Sequence, residues 1–300
     1  MTGNKIGYIY LSVTILLFST YEVVSKTIVG SVNPFQINFI RFFIGGFIMF
    51  SILLVKRDLK ISKNDFFLVV LIGIINVVIS MNLLQLSLYV PGAMASVVAV
   101  IFSSNPIFVL IFSAIIDKER IKLYKIIGLI LGLAGIITVF ADKFSIGLNG
   151  FESPLLVLLS AVFFGLYTVL GRRLSVRIGS LKMNSYSSIT GSLVLLPMIL
   201  IMGMPVLKFN YSSIWEVLYL SIAVTGLAYF AYFKGLSIIE ASKGSLVFFV
   251  KPVLASIIAI IFIGEKLTIF LFLGIVLIIS GILISFYWTS IKEKFQKKLV

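Results

Sequence analysis

The chain has 300 residues, of which 60% are hydrophobic and only 12% charged, and its mean hydropathy is +1.17. That is far more apolar surface than a water-soluble core can absorb, and long uncharged stretches identify an integral membrane protein. With neither Cys nor His in the sequence, disulfides, thiol nucleophiles, the usual catalytic triads and zinc sites are excluded.

A transmembrane helix needs about 20 mainly apolar residues. Such stretches run over 6–28, 35–55, 66–88, 93–115, 124–141, 154–172, 182–203, 212–233, 241–263 and 267–288. They lack the period-two alternation of barrel strands and are too long for them. The expected fold is therefore an all-α membrane protein with ten transmembrane helices. The first stretch follows Lys5, is longer than a signal-peptide apolar region and has no clear small-residue cleavage site, so it is expected to be retained.

That first stretch carries Tyr21, Glu22 and Lys26. Glu22 lies about 24 Å along a helix begun at Ile6, in its outer third. Desolvation favours the neutral form of such an acid and a nearby cation the charged form. This conflict suits a proton-coupling group, while a local ion pair with Lys26, four residues on, is the plainer alternative, and a matched pair with Lys251 across a cavity is a third, although the two depths counted along the helices differ. Arg41, in the second stretch, lies about 10 Å inward from Pro34. The third stretch carries Asn76, Ser80, Asn82 and Gln85, with Asn82 and Gln85 on one face. They read either as interhelical glue or as substrate contacts.

In the fourth and ninth stretches Pro106 and Pro252 each remove a helical hydrogen bond and read as kinks or gate hinges. Tyr167 in the sixth stretch, and Tyr229 and Tyr232 in the eighth, combine a stacking face with a hydroxyl and are candidate pocket residues. Lys251 stands directly before Pro252, about 15 Å deep in a helix counted from Ala241 and so near mid-membrane. An ionisable group there is a functional-site hypothesis by default, either binding an anionic group or pairing with a buried acid. Gly128, Gly132 and Gly135 in the fifth stretch, and Gly274 and Gly281 in the tenth, allow close helix contact, expected within each half of the chain.

The net charge of +14 would suggest nucleic acid in a soluble protein. Here the charges sort by side. With the N-terminus in the cytoplasm, most Lys and Arg fall in inner segments, including Lys56, Arg57, Arg120, Arg172, Arg173 and the basic tail 289–300, whereas Lys26, Lys143, Lys208 and Lys266 fall outside. This positive-inside pattern places both termini in the cytoplasm, with the lipid bilayer and not nucleic acid as partner.

An offset of 146 positions, as from Pro106 to Pro252, superimposes scarce residues. Tyr21, Lys26, Asn38, Gly45 and Glu119 fall on Tyr167, Arg172, Asn184, Gly191 and Glu265. Five spans per copy is an odd number, so the copies enter the membrane from opposite sides as inverted five-helix repeats, 6–145 and 152–288. That is the architecture of alternating-access transporters.

The segments FSTYEVVSK (18–26), PFQINFIRFFIGG (34–46), AMASVVAVIFSSNP (93–106) with Glu119, and EASKGSLVFFVKP (240–252) followed by GE (264–265) resemble the duplicated EamA domain of the drug/metabolite transporter superfamily. The resemblance implies ten helices, cytoplasmic termini, a central cavity lined mainly by the first, third, fourth, sixth, eighth and ninth helices, and export of amino acids or related metabolites. It also implies that Arg41, frequent in the family, is a structural charge. Lys251 and Glu22 depart from it, replacing an acidic and a neutral residue. The resulting expectation is a secondary transporter of a small organic molecule in a bacterial cell membrane, monomeric or weakly dimeric. Lys251, Tyr21, Tyr167, Asn82, Gln85, Tyr229 and Tyr232 are the substrate-binding candidates and Glu22 the proton-coupling one. Arg41 and Lys26 are structural charges, Pro106 and Pro252 hinges, and no catalytic residue, metal or cofactor is expected. A passive facilitator and a membrane-embedded enzyme are the rival classes.

Overall fold

The computed structural model describes residues 2–118, 123–144, 151–244, 248 and 250–296, and among these every regular element is a helix. The first half contains α1 (Thr2–Phe18), α2 (Tyr21–Thr27), α3 (Pro34–Lys56), α4 (Lys63–Gly73), α5 (Met81–Tyr89), α6 (Ala95–Phe102), α7 (Asn105–Ile116) and α8 (Leu123–Phe144). The second contains α9 (Glu152–Ile178), α10 (Ser180–Ile201), α11 (Ile214–Tyr219), α12 (Ala228–Ile238), α13 (Ala241–Gly244), α14 (Lys251–Ile263) and α15 (Ile269–Gln296). Among the described residues seven helical segments are long and apolar enough to cross a membrane: Lys5–Thr27, Pro34–Lys56, Lys63–Tyr89, Ala95–Ile116, Glu152–Ile178, Ser180–Ile201 and Tyr211–Ile238. Large apolar side chains such as Val55, Phe67 and Ile201 stay on the outer surface, which suits lipid as the surrounding solvent. Glu119, Arg120 and Lys122, and Lys297 and Lys298 of the basic tail, lie outside the described residues.

Three expected spans are broken, and two of the breaks are written in short polar side chains. Between α1 and α2, Ser19 Oγ donates to the Ile15 carbonyl and Thr20 Oγ1 to the Leu17 carbonyl, both at 2.7 Å. Between α6 and α7, Ser103 Oγ and Ser104 Oγ donate to Ala99 and Ile101 carbonyls at 2.6 Å, and Asn105 Nδ2 to Phe102 at 3.0 Å. Such groups compete with the backbone for its own acceptors and favour helix ends. In the ninth expected span α14 begins at Lys251, directly after a turn at Val250. Pro106 and Pro252 consequently sit in the first turns of α7 and α14. At that position a proline's missing N–H would have had no intrahelical partner, so neither removes an interior helical bond as the sequence suggested.

The repeat extends to details that no hydropathy plot carries. A π-helical stretch, Ile74–Ser80, joins α4 to α5, and another, Leu220–Leu227, joins α11 to α12 at the equivalent place. In the second, Thr225 Oγ1 donates to the Leu220 carbonyl five residues back at 2.8 Å. Glycines press against both regions: a Cβ on Gly45 would lie 2.7 Å from the Ser221 carbonyl oxygen, and one on its repeat mate Gly191 would lie 2.6 Å from that of Gly73. The helix contacts join the halves: α3 packs on α10, α1 on α12, α5 on α9, and α8 on α15. The Gly135–Gly274 contact, expected inside one half, therefore lies between them. Small residues let helices from different copies approach to backbone distance.

Candidate functional site

The central charges meet where the halves join. Glu22 occupies the first turn of α2, just past the Ser19–Thr20 break, and Lys251 opens α14. Their side chains form a 2.5 Å ion pair, Lys251 Nζ to Glu22 Oε1, with the residues 1% and 0% exposed. The Nζ also lies 4.6 Å from the centroid of the Phe102 ring, a cation–π contact. Depth counted along unbroken helices separates these residues. The break on each side makes that count invalid and allows the pair. The local alternative, Glu22 with Lys26, does not form. Lys26 Nζ instead donates to the Leu88 carbonyl at the end of α5 at 2.9 Å, and its repeat mate Arg172 donates through Nε to the Leu236 and Ile239 carbonyls at the end of α12, both at 3.1 Å. These cations cap equivalent helix ends.

Arg41 is the second buried cation, 1% exposed. Its guanidinium carbon lies 4.6 Å from the Tyr21 ring centroid and 4.5 Å from that of Phe42. Nε donates to Asn38 Oδ1 at 2.8 Å, and Asn38 Nδ2 in turn donates to Asn82 Oδ1 at 2.6 Å and to the Met81 carbonyl at 2.8 Å. Asn82 Nδ2 donates to the Val78 carbonyl at 3.0 Å, and Tyr21 Oη donates to Gln85 Oε1 at 2.5 Å. Asn82 and Gln85 thus hold Arg41 and Tyr21 from behind. Arg41 Nη2 and Glu22 Oε2 are buried with no hydrogen-bond partner.

A small cavity of about 20 Å³, room for roughly one water molecule, lies between these groups, with Tyr21, Arg41, Tyr229 and Lys251 in its wall. Phe18, Phe102 and Phe164 supply aromatic surface, and Met81 and Leu84 close one side. Tyr229 Oη donates to Met81 Sδ at 3.1 Å. Tyr167 and Tyr232 stand one layer back: the Tyr167 ring is 5.6 Å from Phe164 and 6.2 Å from Tyr229, and Tyr232 Oη lies 3.3 Å from Thr168 Oγ1. Both rings pack against the aromatic side chains around the cavity. The sequence reading put Lys251, Tyr21 and Tyr229 at this place but left Arg41 out of it. The available signal was a cation inside an apolar span with no acid one turn away.

Away from the cavity, Glu265 bridges to the start of α6, accepting from the Ala95 and Ser96 N–H groups at 2.5 and 2.9 Å and from Ser96 Oγ at 2.5 Å. A carboxylate there satisfies helix N-terminal donors and complements the dipole. Three ion pairs connect other helices: Lys182 with Asp58 at 2.6 Å, Arg173 with Asp117 at 2.5 Å, and Arg177 with Asp65. Among the described residues no group of three acidic side chains converges as a metal site would require.

Apolar helices packed around a small, charged interior cavity define a membrane transporter. The EamA-like transporter family matches residues 5–141 and 153–287, and the protein belongs to that family. The two matches fit the internal repeat. A protein of Clostridium kluyveri described as an uncharacterized transporter is 32% identical over 294 residues, covering 94% of this chain and 93% of its own. The Bacillus subtilis uncharacterized transporter YoaV is 28% identical, over 93% of this chain and 96% of its own. A crystal structure of a protein 20% identical in sequence shares the fold, with a TM-score of 0.72 over 96% of this chain and 98% of that one.

Proposed function

We propose that the protein is a ten-span, inverted-repeat secondary transporter of a bacterial cell membrane, both termini cytoplasmic, which exports or exchanges an amino acid or a related amine or carboxylate by alternating access. The observation that carries this reading is the Glu22–Lys251 pair, buried beside a cavity at the junction of two repeat-related halves. Buried ionisable groups inside helical membrane proteins mark transport pathways, and sites between repeats are where rocking motions alternate access.

The pair gives the empty carrier a low-cost closed form, because each charge neutralises the other out of contact with water. A substrate carboxylate competes for Lys251 and a substrate amine for Glu22. Protonation of Glu22 also ends the attraction and frees the ammonium, which provides a route for proton coupling. Tyr21 and Tyr229 are the wall residues placed to stack on a ligand. The breaks before α2 and α7 are where the helices bend as the halves rock.

Counterflow in proteoliposomes tests this reading. Vesicles loaded with unlabelled 3-phenylpropionate, an aromatic carboxylate, should transiently accumulate the labelled compound, and Glu22→Gln should remove the dependence of that uptake on an imposed pH gradient. Downhill equilibration with no overshoot would instead identify a passive facilitator, and chemical conversion of the solute an enzyme.

A further inference from the structure

We propose that Arg41 is the anchor for a carboxylate of the transported molecule, and that this molecule is a monocarboxylate with an apolar or aromatic body. The proposal deepens the transporter reading and rests on it only for the word transported; binding alone tests it.

The argument is a charge count. Glu22 and Lys251 cancel each other at 2.5 Å, which leaves the guanidinium of Arg41 as a surplus positive charge in the cavity wall. Among the described residues no carboxylate forms an ion pair with it: Glu22, the acid near enough to feel its charge, is bonded to Lys251, Asp58, Asp65 and Asp117 are engaged with Lys182, Arg177 and Arg173, and Glu265 with the start of α6. A buried cation with no counter-charge is expensive, and Arg41 is 1% exposed.

Its orientation fits an anchor. Nε is fixed by Asn38, the plane is held between the rings of Tyr21 and Phe42, and Nη2 has no hydrogen-bond partner. A guanidinium held in this way is preorganised for the paired acceptors of a carboxylate. One negative charge completes the balance. A free amine would add to the surplus, a zwitterion would leave it in place, and a phosphate dianion would overshoot it. Phe18, Phe102 and Phe164 then offer an apolar wall for the rest of the molecule.

Calorimetric titration of the purified full-length protein with 3-phenylpropionate, 3-phenylpropionamide, phenethylamine and phenylalanine tests the assignment. The acid should bind about tenfold or more tightly than its amide, more tightly than zwitterionic phenylalanine, and the amine weakest of all. Arg41→Gln should erase the acid-over-amide preference, and Arg41→Lys should keep part of it. The ligand series uses intact protein, so it decides the matter even if Arg41→Gln fails to fold. Equal binding of acid and amide, tighter binding of phenylalanine, no binding of the acid, or a folded Arg41→Gln protein that keeps the preference would each overturn the proposal. Binding of the acid without any flux in proteoliposomes would sink the transporter reading and leave Arg41 as the anchor. Flux with no acid preference would do the reverse.

Discussion

The two halves repeat much of their backbone but not their chemistry, and the α1–α2 break has no counterpart in the continuous α9 (Glu152–Ile178). Lys251 and its repeat mate Asn105 both open a helix directly before a proline, after a break in what the sequence presents as one span. Asn105 donates back to the Phe102 carbonyl, a local turn bond, while Lys251 reaches across to the other half. Glu22 corresponds in the same way to Thr168, whose hydroxyl meets Tyr232. The starts of α7 and α14 are thus equivalent and buried, and only the second carries a charged pair.

The sharpest way to break this comparison is to make matched substitutions. Lys251→Ala leaves a buried carboxylate without its partner and should cost about 3–5 kcal/mol of stability, with loss of transport. Asn105→Ala removes one local hydrogen bond and should cost about 1 kcal/mol. Thermal melting of the two purified variants, read against flux, checks both, and similar costs would erase the distinction between the halves.

The glycine contacts test the part that the halves share. Gly45→Leu and Gly191→Leu should each destabilise the protein by about 1–3 kcal/mol through overpacking against the neighbouring backbone. Their effects should be similar because the contacts are repeat-related, and a variant that melted like the parent would show that its contact is not tight. A smaller effect is expected from the helix caps. Lys26→Met and Arg172→Met should each lose about 1 kcal/mol in the same melting assay, with Arg172 the larger because it caps two carbonyls. Arg173→Ala, which breaks a half-exposed ion pair with Asp117, should change stability by less than about 1 kcal/mol.

Much of the helical layout was legible because lipid imposes a length on apolar segments, and the repeat was legible because Pro, Gly, Asn and charged residues are scarce in this chain. The candidate site was legible in part. Lys251 and Glu22 stood out as charges in apolar spans and as one candidate pair, but counting 1.5 Å per residue set their depths apart, because it assumes that α1 runs into α2. The Ser19–Thr20 pair carried the signal for that break, as Ser103–Ser104 did for the one between α6 and α7. Arg41 looked structural from the family resemblance. Only its placement between two rings, against a cavity and without an acid, separates it from an ordinary anchor. Tyr167 and Tyr232 had the right residue type, but chain order alone does not say which aromatic ring touches a cavity and which packs behind it. The glycines of α8 and α15 gave the right interaction and the wrong partner, since small residues specify closeness and leave open which helix comes close.

The most direct test is the doubly neutral protein, Glu22→Gln with Lys251→Met, compared with either single change by melting and by proteoliposome flux. Removing both charges adds no unpaired ion beyond Arg41, which the parent already carries, so the double variant should melt close to the parent while moving no solute. Undiminished flux through a protein with neither charge would contradict the account, because the buried pair would then hold helices together and take no part in transport.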